Sequence, residues 1–342
     1  MREYELEVLE QYDINLTGTR KARGAFFCDT KEGTMLLKET KMSRRRAPVF
    51  YAILLALTKT GEVKVDLPVL NKEGEVISCA PDGKCYMLKQ WYAGRECDVY
   101  KEKDVVRAVK ELALLHTKMH WPKETEDGIA LTGRHFKEEL LCHNREMKKV
   151  RSFIRQKVKK GKFEYLYLQH FEKMYQLALR VAKKLEESGY EELYRESVEE
   201  RRLIHGDYNY HNVIMLPEKS GINSLDTGSL VAVTGFEHFA VDVQVQDFCY
   251  FFRKVMEKHR WEEDIGKKLL EAYESVRPLK KEELEYVALK LAYPEKFWKT
   301  ANSYYRSNKA WISEKNVSKL SGAIEETEEK MQFLKHIFSL EI

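Results

Sequence analysis

The chain has little to bend it and nothing to anchor it. Only 7 prolines and 17 glycines occur in 342 residues, and without a low-complexity segment or an internal repeat no flexible linker is expected. The longest apolar run, Val49 to Leu57, falls far short of the ~20 residues a membrane helix needs. The N-terminus, Met1-Arg2-Glu3-Tyr4-Glu5-Leu6-Glu7, lacks the apolar core of a signal peptide. These absences predict a globular protein made in the cytoplasm, with no membrane span. Six cysteines, at 28, 79, 85, 97, 142 and 249, form no C-x-x-C pair, which reads as reduced core thiols rather than a zinc site or disulfide frame. Neither charge sign dominates: 59 basic and 55 acidic side chains leave +4, and no nucleic-acid partner is implied. The basic runs Arg44-Arg45-Arg46 and Lys157-Val158-Lys159-Lys160 read as solvated helix faces.

With 43% hydrophobic residues the chain can bury a sizeable core, and its length suits two lobes. Runs at 23–28 and 34–38 read as strands closed by Asp29-Thr30-Lys31-Glu32-Gly33, 44–57 as a helix, and 75–80 with 84–91 as a second hairpin across Pro81-Asp82-Gly83. Beyond Gly94 helical spacing prevails: 105–120, two or three helices over 136–188, then 245–259, 262–276, 281–291 and a final region 294–338, interrupted by short strands at 212–216 and 230–234. The expected architecture is α+β and bilobed. A small antiparallel N-lobe (1–92) is followed by a larger, mostly helical C-lobe (93–342), with a hinge near Gln90 to Gly94.

The most informative stretch is Leu203-Ile204-His205-Gly206-Asp207-Tyr208-Asn209-Tyr210-His211-Asn212, an H-x-D-x-x-x-x-N loop between apolar segments. In a phosphotransferase such an Asp accepts the proton of an acceptor hydroxyl, and the Asn reaches a magnesium ion on the nucleotide phosphates. Asp207 is therefore the candidate catalytic residue and Asn212 a candidate metal ligand. Lys38, ending the apolar strand Met35-Leu36-Leu37, is the candidate phosphate-binding lysine. Gln90, Trp91 and Tyr92 end the last N-lobe strand, where they read either as a hinge that meets the adenine edge or as a core aromatic pair.

Two parts of that machinery are missing. No acid lies between Glu39 and Glu62, so the first helix offers Lys38 no Glu, which leaves the lysine either poorly positioned or paired with an acid from outside the helix. After the strand 229–234, Gly235-Phe236-Glu237 stands where the magnesium-binding Asp would precede Phe. Glu237 is the substitute metal ligand, although residues two apart on an extended segment sit about 7 Å apart. Asp226 in Leu225-Asp226-Thr227-Gly228 is a rival frame, but its apolar strand follows it instead of preceding it. His205 reads as a packed, backbone-bonded histidine, with a His205/Asp207/His211 metal site as the alternative. Asp247 reads as a helix N-cap. The aromatics from Tyr293 to Trp311 read as packing first and partner surface second.

Order and spacing resemble the aminoglycoside phosphotransferase and choline kinase branch of the protein-kinase-like fold, through Lys38, the Trp91 hinge and His205-Gly206-Asp207 to Asn212. The whole chain further resembles the spore coat proteins of the CotS type, through Arg23-Gly24-Ala25-Phe26, Trp91-Tyr92-Ala93-Gly94-Arg95-Glu96-Cys97, His205 to Asn209, Asp247-Phe248 with Phe252 to Lys258, and Tyr293-Pro294-Glu295-Lys296-Phe297-Trp298. The resemblance implies ATP with Mg2+ as the cofactor pair, synthesis in the mother-cell cytoplasm, deposition on the spore coat, and other coat proteins as partners. Two functions stay open: a degenerate kinase fold serving as a coat assembly module, and a phosphotransferase acting on a small hydroxyl compound, a sugar or a coat protein.

Overall fold

A computed structural model describes residues 4–22, 24–59, 61–121, 131–218, 229–307 and 314–342. Two compact units emerge, one of residues 1–131 and 201–241, the other of 132–200 and 242–342. The first thus unites the N-terminal sheet with the catalytic-type loop.

In the first unit a short turn of helix, α1 (Tyr4–Glu7), precedes strands β1 (Leu16–Ala22), β2 (Ala25–Thr30) and β3 (Gly33–Glu39). The apolar helix α2 (Ala47–Thr58) and the short strands β4 (Lys64–Val65) and β5 (Ser78–Cys79) follow, then β6 (Cys85–Gln90), β7 (Arg95–Glu96) and helix α3 (Glu102–Lys118). After the second unit's first helices the chain returns as β8 (Leu203–Ile204), β9 (Val213–Met215), β10 (Val231–Val233) and β11 (Ala240–Val241). The main sheet has the order β1-β2-β3-β6-β5; β4-β10-β9-β7 form a second sheet and β11-β8 a third. Of the strands without a sequence signal β1 is the longest, the others being the two-residue β4, β7 and β11. Its Leu-Thr-Gly-Thr-Arg-Lys-Ala shows no buried residue, so no apolar alternation marks it.

Strand alternation sorts the main sheet's side chains. Phe26, Cys28, Met35, Leu37, Tyr86 and Leu88 share one face and pack with Val8, Leu9 and Tyr12 of the N-terminal segment. On β3 and β6, Leu36 pairs with Lys89 and Lys38 with Met87, so both lysines project from the opposite face. Helix α2 starts at Ala47-Pro48, where proline's missing N–H costs nothing, and buries Val49, Phe50, Ile53, Leu54 and Leu57. A helix this apolar has no place for an acid. Gly94 passes so close to β9 that a Cβ there would lie 2.5 Å from the Met215 carbonyl, which only glycine tolerates.

The cysteine expectation is corrected at one pair. The hairpin register sets Cys79 opposite Cys85, and the two form a disulfide; five intervening residues turn a tight hairpin that brings the thiols together. Cys28, Cys97 and Cys249 are buried free thiols, and burial pushes them up to about 11, 12 and 12, leaving them protonated and inert at neutral pH.

The second unit is helical: α4 (Phe136–Gln156), α5 (Lys162–Glu187), α6 (Tyr190–Glu199), α7 (Val245–Met256), α8 (Glu263–Glu274), α9 (Lys281–Ala292), α10 (Glu295–Arg306) and α11 (Glu314–Phe338). Aromatic rings pack it, with Tyr167 stacked on Phe297, Tyr190 on Tyr286 and His143 on Trp298. Tyr293, Phe297 and Tyr304 are buried, as the packing role requires; Trp311 and Asp226 fall outside the described residues. Asp247 is no cap. Gln244 holds that position, and Asp247 lies buried within the first turn of α7. Lys157 to Lys160 form the bend between α4 and α5, where Lys157 pairs with buried Glu164 at 2.6 Å, so that run is not a helix face. Among the described residues no helix is long and apolar enough to cross a membrane.

Candidate functional site

The loop after β8 is fixed from below by His205, which is fully buried. Its Nε2 lies 3.0 Å from the Thr234 carbonyl, and its Nδ1 accepts the Asp207 N–H at 3.1 Å. A carbonyl only accepts and an N–H only donates, so the proton sits on Nε2. The packed-histidine reading holds, because both ring nitrogens are spent. Gly206 follows with φ +81°, and a Cβ there would lie 2.2 Å from the His238 carbonyl; no other residue allows the loop to turn here. The buried Tyr208 then anchors the loop on α3 by donating its hydroxyl to the Ala108 carbonyl at 2.7 Å.

Asp207 is presented between two amides. Asn209 Nδ2 donates to its Oδ1 at 2.9 Å, and Asn212 Nδ2 donates to its Oδ2 at 3.1 Å and to its backbone carbonyl at 2.9 Å. This fixes the carboxylate's plane and leaves Asn212 Oδ1 as that side chain's free-facing acceptor. Asn209 carried no assigned role in the sequence; its signal was an amide two residues after the Asp. His211 turns away to Glu96 at 2.6 Å, so His205, Asp207 and His211 do not converge. Among the described residues no group of three His, Cys, Asp or Glu side chains could hold a metal ion.

Gly235 sits directly against this loop. Its φ of +85° lies in the left-handed region, and an added Cβ would meet Cγ, Nδ2 and Oδ1 of Asn212, each at 2.9 Å. The Asn212 amide therefore fills the space where a side chain at 235 would begin. The Gly235 N–H points the other way and donates to Asp66 Oδ2 at 3.0 Å. Asp66 arrives there because β4 runs parallel to β10, with Lys64 beside Ala232 and Val65 beside Val233, so the next residue lies alongside the Gly235 turn.

Behind Gly235 stands a constellation that the sequence did not reveal. Lys89, only 1% exposed, donates to Asp66 Oδ2 at 2.9 Å and to Glu237 Oε1 at 2.6 Å. Lys38, half exposed, approaches the same Glu237 oxygen at 3.9 Å. Glu237 is thus the counterion from outside the helix that Lys38 lacked. Burial works against its charge, but Lys89 and Lys38 outweigh burial and hold Glu237 down to about 2. Burial likewise opposes the Lys89 charge and is outweighed by Asp66 and Glu237, which keep the ammonium protonated. Burial pushes the Asp66 carboxyl up, and its Oδ1 has no partner. The signal for Lys89 was a lone lysine within the apolar strand Tyr86-Met87-Leu88.

At the expected hinge, the Gln90 N–H is given to the Leu67 carbonyl at 2.9 Å and the Trp91 N–H to the Thr34 carbonyl at 3.1 Å. Tyr92 donates its hydroxyl to the Val65 carbonyl at 3.1 Å, and Trp91 packs edge-on against Phe27. The backbone donors of Gln90 and Trp91 are therefore committed within the fold. For phosphates, Lys38 fits: an accessible cation held by one carboxylate. A divalent ion does not fit. Residue 235 supplies no carboxylate and Glu237 is already neutralised by an ammonium at 2.6 Å, so of the expected ligands only the Asn212 amide oxygen is left.

A sequence model of the family described as "Spore coat putative kinase YutH" matches residues 231–337. Spore coat protein S of Bacillus subtilis (strain 168) is 22% identical over 343 residues, covering 96% of this chain and 92% of that protein. Among solved structures, an aminoglycoside phosphotransferase from Alicyclobacillus acidocaldarius superposes with a TM-score of 0.82 at 15% identity, over 97% of this chain and 94% of that one. Spectinomycin phosphotransferase APH(9)-Ia, in complex with ADP and spectinomycin, gives 0.65 at 11% identity, over 97% and 98%. The fold is that of the aminoglycoside phosphotransferases, and the resemblance to spore coat proteins is borne out.

Proposed function

We propose that this kinase-folded relative of the spore coat proteins is a structural or assembly module of the coat with weak or no phosphotransferase activity. It is made in the mother-cell cytoplasm and laid onto the spore with other coat proteins as partners. In this reading the chain divides into a nucleotide-binding-type lobe (1–92) and a helical lobe (93–342), joined near Gln90 to Gly94. The carrying observation is Gly235, which has no carboxylate and whose side-chain space is filled by Asn212; phosphoryl transfer depends on neutralising developing charge with correctly held metal and lysine.

A second reading keeps support from the ordered Asp207. Its carboxylate is aimed by Asn209 and Asn212 as an acceptor-orienting base would be, with Lys38 as the phosphate cation. ATP would supply the phosphoryl group, and the acceptor would be a small hydroxyl compound, a sugar or a coat protein. Phosphate release and transfer from ATP, compared between the wild type and Asp207→Ala, separate the two. The module reading expects equal, background turnover from both, and coat incorporation unchanged by the substitution. Turnover well above background that disappears in Asp207→Ala establishes the enzyme and refutes the module.

A further inference from the structure

We propose that the ammonium group of Lys89, clamped between Asp66 and Glu237 behind Gly235, is the built-in cation of this site, so that nucleotide phosphates are taken up on Lys38 without a divalent ion. The proposal rests on the reading of a kinase-derived site that no longer runs metal-assisted transfer, and adds what replaced the metal. Strand alternation dictates that Lys38 and Lys89 leave the main sheet on the same face, and the parallel pairing of β4 with β10 brings Asp66 to the Gly235 turn. Lys89 then bridges Asp66 and Glu237 at 2.9 and 2.6 Å with almost no exposure. Its Nζ also lies 5.4 Å from the ring centre of Phe50 on α2, so it is packed as well as paired.

Behind Gly235 the charges pair without an ion. Two lysines, 38 and 89, face two carboxylates, 66 and 237. A divalent cation on Glu237 would sit one ligand shell from a buried ammonium that has no water to move into, and like charges this close repel strongly in a low-dielectric setting. Glu237 also carries a second duty, steadying Lys38. A fixed internal cation therefore does two things that a metal would otherwise do: it compensates the carboxylates, and through Glu237 it sets the phosphate-facing lysine.

The test reads thermal midpoints of the full chain in EDTA, with magnesium, and with Mn2+ alone, each with and without ATP. The wild type should rise equally with ATP in EDTA and in magnesium, and should not move with Mn2+ alone. Lys89→Met should start lower, recover part of the loss on about 1 mM Mn2+ as the freed carboxylates take the ion, and gain about tenfold in apparent ATP affinity when magnesium is present. Lys89→Met with Asp66→Asn removes one of the stranded charges and serves if the single variant fails to fold. A wild-type rise that needs magnesium, a wild-type response to Mn2+ alone, no rise on ATP in either medium, or Lys89 variants that stay indifferent to metal each overturn the proposal. The Asp207-dependent turnover that decides the function is read separately, by phosphate release and transfer in the wild type and Asp207→Ala.

Discussion

Restoring the missing carboxylate is the obvious repair of this site, and the structure says that it fails. Gly235→Asp must hold a non-glycine residue at φ +85°, which costs about 1–2 kcal/mol. Its Cβ must also displace the Asn212 amide, 2.9 Å away at three atoms. That amide would swing aside cheaply were it free, but it donates to the Asp207 carbonyl and carboxylate at 2.9 and 3.1 Å, and losing the pair adds about 2–3 kcal/mol. The variant should therefore unfold about 3–5 kcal/mol more easily, read as a lowered urea midpoint at an unchanged slope. Gly235→Ala shares the backbone and Cβ penalties without the new charge, so it should show most of the same loss. No magnesium-dependent phosphoryl transfer should appear in either. A Gly235→Asp protein with the wild-type urea curve, or one that gains such transfer, would refute the claim that Asn212 occupies the metal ligand's place.

Glu111 is buried beneath Ser229, whose hydroxyl donates to it at 2.6 Å, and burial pushes it up to about 7. An acid raised in the folded state costs stability as pH climbs from its unfolded value near 4.5 through about 7, and costs nothing below. Glu111→Gln should thus stabilise the protein at pH 8 by up to about 3 kcal/mol and leave it unchanged at pH 4; urea midpoints at the two pH values check both halves. Replacing Cys79 and Cys85 together by serine opens a loop with a sequence separation of 6 and should cost about 2 kcal/mol, while alkylation of the native, unreduced protein in denaturant should label four thiols and spare this pair.

What the sequence disclosed and what it hid follow one physical line. Asp207, Asn212 and the His205 packing role lie within eight residues of one another, where local spacing carries the chemistry. The acid-free stretch around α2 was equally plain, and of the two outcomes it left open, a poorly positioned Lys38 or an acid from outside the helix, the second is the one found in Glu237. Lys89 and Asp66 were hidden because their meeting depends on strand pairing, 23 residues apart for the two and 148 from Lys89 to Glu237. Cys79 and Cys85 were missed for the same reason at shorter range, since a C-x5-C spacing becomes a bond only when the hairpin register sets the two opposite. β1 was hidden by composition: a solvent-facing strand has no reason to alternate.

The acid-free α2 has one more consequence. In kinases the helix Glu pairs with the strand lysine, and moving that helix makes or breaks the pair. Here α2 is pinned by an apolar face, and the acid that meets Lys38 hangs instead from the turn after β10, itself tied down by Lys89. Swinging such a helix would leave the lysine's partner where it was. The lever by which this fold is ordinarily thrown between on and off has been disconnected, and what remains is a constellation with a single setting.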